Sequence, residues 1–357
     1  MGSTIIESGS DTALAAVDLH KSYGGGRGRP PVKALDGLGF TAATGSVFAL
    51  LGPNGAGKST TVKILATLSR ADSGTATVAG IDVQRHPERV RRAIGFVAQR
   101  PVTDPMDTGR ENLVLAGRLQ GMGARDAKAR AGELLDRFAL TDAARRLVRG
   151  YSGGMARKLD VAMGLMHRPQ VLFLDEPTTG LDPQARAEMW AEIERMARDE
   201  RMTILLTTHY LEEADKLAAR LAIVDHGRIV AGGSPEELKN ELHGDSVVIE
   251  LDTAAARPAA AVTETVVRAQ EALARLGTLR DIVMDDDVLR ARADNGARAL
   301  PHVLAALETA GVGVVSAAVA RPSLDDVYLR HTGHTFASAQ AGQAVAERAG
   351  DLAEVAR

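Results

Sequence analysis

Eight residues, Gly52-Pro53-Asn54-Gly55-Ala56-Gly57-Lys58-Ser59, fit the spacing G-x-x-x-x-G-K-[ST]. The chemistry that needs this pattern is phosphate binding. The amides of Asn54, Gly55, Ala56, Gly57, Lys58, Ser59 and Thr60 cradle phosphates, the Lys58 ammonium reaches the β- and γ-phosphates, and the Ser59 hydroxyl binds Mg²⁺. The loop alone leaves kinases, GTPases and motors open. A pair of carboxylates, Asp175-Glu176, follows the apolar run 171–174. Four consecutive apolar residues suit a parallel strand covered on both faces, and such sheets hold ligands beyond the carboxyl ends of their strands. Both carboxylates then land beside the phosphate loop. There Asp175 can hold Mg²⁺ through water and Glu176 can polarise an attacking water.

Other polar groups at element ends read two ways. Tyr23 follows the strand expected at 14–19, and its ring either packs half-buried or stacks on a flat base such as adenine. Gln99 ends an apolar strand, as a surface amide or as a group reaching metal-bound water. Ser152-Gly153-Gly154 opens a helix expected to run to about 166; its free N–H groups make an ordinary cap or an anion-binding nest. His209 ends the strand that starts at 203, either in a capping or packing role or on the ligand edge.

The elements that position these groups alternate as in an α/β fold. Strands are expected at 14–19, 32–40, 46–51, 75–79, 94–99, 170–174 and 203–207, with a helix after the phosphate loop and a turn at Asp72-Ser73-Gly74. From 108 to about 149 helical periodicity takes over. Trp190 falls on a later helix as a core residue, a hairpin surrounds Asp225-His226-Gly227, and Ser234-Pro235-Glu236-Glu237 caps the last helix of this part. After Gly244 the order βαββαβ suits a small ferredoxin-like sandwich, followed by a short helix capped at Ser323. Asp285-Asp286-Asp287 is a solvated turn or a metal site. Residues 1–12 read as a disordered leader and 337–357 as a flexible tail.

The chain has 357 residues, room for two cores, with 45% hydrophobic and 25% charged residues. Aromatic residues make up only 3%, so the cores rest on Ala, Val, Leu and Ile. A net charge of −3 provides no broad positive field, and no nucleic acid is expected as a partner. Cysteine is absent, which excludes disulfides, thiolate metal sites and thiol nucleophiles and fits the cytoplasm. No apolar run approaches the ~20 residues that span a bilayer, so work at a membrane requires a partner.

Taken in order, the loop, Gln99, Ser152-Gly153-Gly154, Asp175-Glu176 and His209 resemble the nucleotide-binding subunit of an ATP-binding cassette (ABC) transporter, over roughly residues 13–242. The resemblance implies a phosphate-loop NTPase cassette: a RecA-like core, an antiparallel β subdomain and a helical subdomain at about 105–165. It implies ATP and Mg²⁺ as cofactors. Ser59 and Gln99 would coordinate Mg²⁺ with Asp175 holding it through water, Glu176 would be the general base, Lys58 and His209 would contact phosphate, and Tyr23 would stack on adenine. Ser152-Gly153-Gly154 would face the nucleotide bound by a second copy, with Asp182 on that interface. Two departures stand out: Met155 replaces the Gln that often ends the Ser-Gly-Gly motif, and 24–31 is longer than the usual tight turn. Arg27 and Arg29 in that loop either touch nucleotide or are solvated.

Tyr151-Ser152-Gly153-Gly154-Met155, with Arg321-Pro322-Ser323-Leu324-Asp325-Asp326-Val327-Tyr328 near the end, resembles the daunorubicin-resistance type of bacterial drug-export ATPase. That likeness implies efflux of a hydrophobic drug- or antibiotic-like compound through a separate ABC-2 type integral membrane permease. It also implies a nucleotide-sandwich homodimer at the cytoplasmic face of the membrane, and an accessory α+β domain at 245–335. The same cassette serves exporters of lipid, polysaccharide or nodulation factor, and importers. A reading of another class, a cassette ATPase acting on nucleic acid or ribosomes, expects paired cassettes, a long coiled-coil insertion or basic extensions, none of which the sequence contains.

Overall fold

The structure, a computed structural model, describes residues 11–24, 31–252, 259–285, 287–336 and 338–339. The leader apart from Asp11 and Thr12, Arg27 and Arg29, Asp286, and the tail apart from Ser338 and Ala339 lie outside the described residues. The chain divides into two compact units, Met1–Ser234 and Pro235–Arg357.

In the first unit, β1 (Thr12–Tyr23) and β2 (Val32–Ala43) pair antiparallel, and β3 (Val47–Leu51) leads into α1 (Lys58–Leu65). Then come β4 (Ser73–Val78), β5 (Ile81–Asp82), α2 (Pro87–Ala93) and β6 (Ile94–Val97). Three helices follow, α3 (Gly109–Leu119), α4 (Ala124–Arg137) and α5 (Gly153–Gly164). The unit continues with β7 (Val171–Asp175), α6 (Pro183–Glu200), β8 (Thr203–Thr208), α7 (Leu211–Leu217), β9 (Arg220–Asp225) and β10 (Arg228–Gly233). The strands form an antiparallel sheet, β2-β1-β4-β5, and a second sheet, β10-β9-β3-β8-β7-β6, in which only the β10–β9 pair is antiparallel.

Every residue of β3, β7 and β8 is buried, as strands covered on both faces must be. Side-chain alternation sends Phe173 and Leu205 into a core shared with β1, β2 and α1, and Leu172, Leu174 and Leu206 into a second core with α3 to α6. The few aromatics are placed in these cores: Phe40 stacks on Phe48 at 4.7 Å, and Trp190 lies in the second. The parallel register pairs Leu51 with Thr208, Asp175 with Thr207 and Val97 with Leu174. Gly52, His209, Glu176 and Gln99 therefore all leave the sheet along one edge.

Two strand expectations change for one reason. β1 continues to Tyr23, and β4 begins at Ser73, inside the expected turn. Asp18 has φ 52°, Gly74 has φ 89°, and the β1–β4 register shifts between Val17 and His20. A Cβ on Gly74 would lie 2.2 Å from the Asp18 carbonyl oxygen. The glycine that signals a turn in the sequence here lets two backbones approach at a β-bulge.

The second unit comprises α8 (Pro235–Asn240), β11 (Asp245–Leu251), α9 (Ala259–Ala274), β12 (Arg280–Asp285), β13 (Val288–Ala293), α10 (Gly296–Thr309), β14 (Val314–Ala320) and α11 (Leu324–Thr332). Its sheet runs β12-β13-β11-β14, antiparallel throughout, which with the chain order βαββαβ is the ferredoxin-like arrangement. Ala269, Leu273, Val303 and Leu307 of α9 and α10 pack with Val247, Ile249, Leu289 and Ala291 of the sheet. α8 packs on α11. Among the described residues no helix is long and apolar enough to cross a membrane.

Candidate functional site

The phosphate loop bridges the end of β3 and the start of α1, and two of its glycines are fixed by space. A Cβ on Gly52 would fall 2.3 Å from the Val224 carbonyl oxygen; Gly57 takes φ 112°, and its Cβ would fall 2.6 Å from the Ala34 carbonyl oxygen. α1 has no side-chain cap and no acidic residue in its first turn, which leaves its amides and positive dipole end for an anion. Of the loop amides, Ala56 N donates within the loop, to Pro53 O at 3.3 Å. The buried Lys58 bends back over the loop, its Nζ donating to Gly52 O at 2.7 Å and Pro53 O at 2.9 Å. Burial pulls its pKa below the ordinary lysine value, against the opposing charges of Glu176 and Asp175.

The two carboxylates are positioned by different neighbours. Asp175 Oδ1 accepts from Ser59 Oγ at 3.1 Å and from Thr207 Oγ1 at 2.6 Å, while Thr207 Oγ1 accepts from Glu176 N at 3.0 Å. Glu176 takes φ 48°, a left-handed conformation that costs a non-glycine residue of order 1–3 kcal/mol. Its side chain is held from several directions. Gln99 Nε2 donates to Oε2 at 2.9 Å, Thr179 Oγ1 donates to it at 3.3 Å, and His209 Nδ1 lies 3.1 Å away. Lys58 Nζ stands 3.7 Å from Oε1. Burial opposes ionisation of Glu176, but the approach of His209 and the Lys58 charge outweigh it and hold the carboxyl below the usual glutamate value. A base that stays ionised at neutral pH results.

The donor set fits Mg²⁺. The Ser59 hydroxyl, the Asp175 carboxylate and the Gln99 amide oxygen are hard ligands, and Mg²⁺ characteristically takes one or two carboxylates plus phosphate and water. Among the described residues no group of three His, Asp or Glu side chains is placed to hold a metal by protein ligands alone.

Lys58, Ser59, Gln99, Asp175, Glu176 and His209 thus come together. Ser152-Gly153-Gly154 and Asp182 do not join them: no hydrogen bond among the described residues links either to the loop. Ser152 caps α5, accepting from Met155 N at 3.2 Å, and Asp182 caps α6, accepting from Ala185 N at 2.8 Å. A Cβ on Gly154 would meet the Ala185 Cβ at 2.8 Å, so the two helix starts are close, whereas a Cβ on Gly153 would meet open space. Met155 is partly buried against the second core. Tyr23 is 42% exposed at the end of β1, its hydroxyl 3.4 Å from Ser69 Oγ and Lys21 Nζ 5.3 Å from its ring centre.

Sequence reasoning passes over Arg157, which reads there as one more charge on a helix. It is buried, and its Nη1 donates to Ala98 O at 2.6 Å, Nε to Pro177 O at 2.8 Å and Nη2 to Asp175 O at 3.1 Å. One guanidinium thereby fixes the main chain just before Gln99 and on both sides of Glu176. Its spacing to the buried Asp160 and Val161, three and four residues on, places it on the inward face of α5 but does not reveal its partners. Arg157→Met removes the donor from three carbonyls, each charge-assisted bond being worth about 1.5–3 kcal/mol. We expect a lower unfolding temperature and a kcat for ATP reduced about tenfold or more with KM little changed, and only partial recovery in Arg157→Lys, whose single ammonium cannot span three directions. Steady-state kinetics checks this; an unchanged kcat would count against a positioning role.

Residues 35–179 match the ABC transporter family, and residues 233–332 match the C-terminal domain of DrrA1-3-like ATP-binding proteins. The chain is 45% identical to the daunorubicin resistance ATP-binding protein DrrA3 of Streptomyces coeruleorubidus, over 91% of this chain and 97% of the relative. It is 44% identical to the daunorubicin/doxorubicin resistance ATP-binding protein DrrA of Streptomyces peucetius, over 90% and 93%. A solved ATP-binding subunit of an ABC transporter is 29% identical and covers 64% of this chain and 93% of its own, with a TM-score of 0.55.

Proposed function

The chain belongs to the ABC transporter family as one of its ATP-hydrolysing subunits, and from that premise we propose that it powers export of hydrophobic drug- or antibiotic-like compounds through a separate ABC-2 type membrane permease. ATP hydrolysis is supported most by the cluster at the sheet edge, where Glu176 is held among Lys58, Gln99 and His209, and the drug cargo by the 45% identity to a daunorubicin resistance ATP-binding protein.

Lys58 and the loop amides bind the β- and γ-phosphates of ATP, and Tyr23 stacks on the adenine. Ser59, Gln99 and Asp175 hold Mg²⁺, which when bound neutralises phosphate charge. Glu176 accepts the proton of the attacking water, and His209 orients Glu176 and contacts the γ-phosphate. Most of the catalysis is positioning and charge stabilisation. Ser152-Gly153-Gly154 and Asp182 serve the nucleotide of a second copy, so ATP joins two copies and its hydrolysis releases them. That cycle drives the permease from the cytoplasmic face of the membrane.

The reading is tested by expressing the chain, with and without a candidate ABC-2 type permease, in a drug-sensitive host. We expect lower doxorubicin accumulation only when both proteins are present. Unchanged accumulation would direct the cassette to another cargo, a lipid or a polysaccharide.

A further inference from the structure

One face of the second unit's sheet carries groups that ATP hydrolysis does not use. Leu289, Ala291 and Ala293 of β13 point into the core with α9 and α10, which turns Arg290 and Arg292 to the opposite face. With Arg330 of α11 they line a cavity of about 230 Å³. Arg292 is only 6% exposed, yet neither Nη1 nor Nη2 makes a hydrogen bond.

Its ion-pair partner, Asp326, lies 3.3 Å from Nη2 but is engaged elsewhere. Asp326 Oδ2 accepts from Ser323 N and Ser323 Oγ at 2.9 Å each, and Oδ1 accepts from Ser246 Oγ at 3.2 Å. Arg290 Nε also makes no hydrogen bond, and its Nη2 is 3.5 Å from Asp325 Oδ2. Arg330 spends Nη1 on Glu241 O at 3.1 Å. Asp281 lines the cavity too, and with Asp325 beside Arg290 three carboxylates stand near the three guanidiniums, so the unmatched fork of Arg292 marks the site rather than an excess of charge. Burial lowers the Arg292 pKa, and the charge of Arg330 adds to that while Asp326 and Asp281 oppose it. A buried guanidinium offers five N–H donors, and leaving its planar fork unmatched is costly. The group that matches such a fork is an oxyanion in bidentate contact.

We propose that this cavity binds the carboxylate or phosphate group of a small molecule, with Arg292 as the principal donor and Arg330 at the exposed rim. Leu242, Val283 and Leu329 of the lining leave an apolar wall for a short hydrocarbon part. All of its lining residues belong to the second unit, and the proposal does not depend on the transport reading.

The test uses the full chain carrying Lys58→Ala, which weakens phosphate binding at the loop. At fixed ionic strength its unfolding temperature is followed against inorganic phosphate, butyrate and chloride. A saturable rise with phosphate or with butyrate, and none with chloride, is expected, and the responding arm identifies the anion class. Adding Arg292→Met weakens the apparent affinity at least about tenfold, and Arg330→Gln weakens it less. Should Arg292→Met fail to fold, Arg330→Gln, on an exposed residue, carries the comparison. A flat response to both anions, or one that the folded variants leave unchanged, overturns the proposal.

Discussion

Glu176→Gln leaves ATP bound and lowers its turnover by about 10²–10⁴-fold, the range a general base contributes. The substitution keeps the shape of a side chain held by Gln99, Thr179 and His209, so the site persists while the proton acceptor is lost. It also removes a negative charge 3.7 Å from Lys58 Nζ, which frees that ammonium for phosphate. ATP binding is thus retained or strengthened, and with hydrolysis blocked a nucleotide-bound dimer accumulates. Phosphate release and sizing with and without ATP and Mg²⁺ check both halves of the expectation. Normal phosphate release would remove Glu176 from its role.

Lys58→Ala produces the opposite pattern. A charge-assisted contact to phosphate is worth about 1.5–3 kcal/mol, so ATP binding weakens by about 10- to 100-fold in a fluorescence titration. The substitution also removes the Lys58 donor from Gly52 O and from Pro53 O, the latter keeping the bond from Ala56 N. Glu176 loses the charge that helps hold its pKa down, so its carboxyl titrates higher and turnover falls even at saturating ATP. Undiminished binding would contradict the assignment of Lys58 to the phosphates.

The phosphate loop is legible in sequence because its chemistry is contiguous and its glycines answer to space. Asp175 and Glu176 are nearly as plain, since a fully buried strand of Val, Leu and Phe ending in carboxylates points them at the ligand edge. Gln99 and His209 are ambiguous one at a time, and the parallel register is what brings both to Glu176. Arg157 is hidden because its partners are backbone carbonyls, which have no sequence signature. Thr207 reads as a β-branched strand residue, although its hydroxyl ties Asp175 to the amide of Glu176. The bulge at Asp18 and Gly74 breaks the alternation that defines a strand, so β1 reads short and the first two residues of β4 read as a turn. In the second unit the alternation shows the sheet, but Arg290 and Arg292 look like a solvated face until α11 is seen to cover them.

The central claim is that each site joins the loop of one copy to Ser152-Gly153-Gly154 of another. Gly153 provides the means of testing it, because a Cβ there meets nothing within 4 Å, which leaves room at the backbone for the charge that Gly153→Asp adds. Lys58→Ala and Gly153→Asp are each expected to be inactive alone, one lacking the loop lysine and the other repelling the partner's γ-phosphate. Mixed in equal amounts, they form dimers with one intact composite site, and turnover returns to about a quarter of wild type if copies pair at random and sites act independently. A Gly153→Asp chain that hydrolyses ATP at the wild-type rate, or a mixture no more active than its parts, would contradict it.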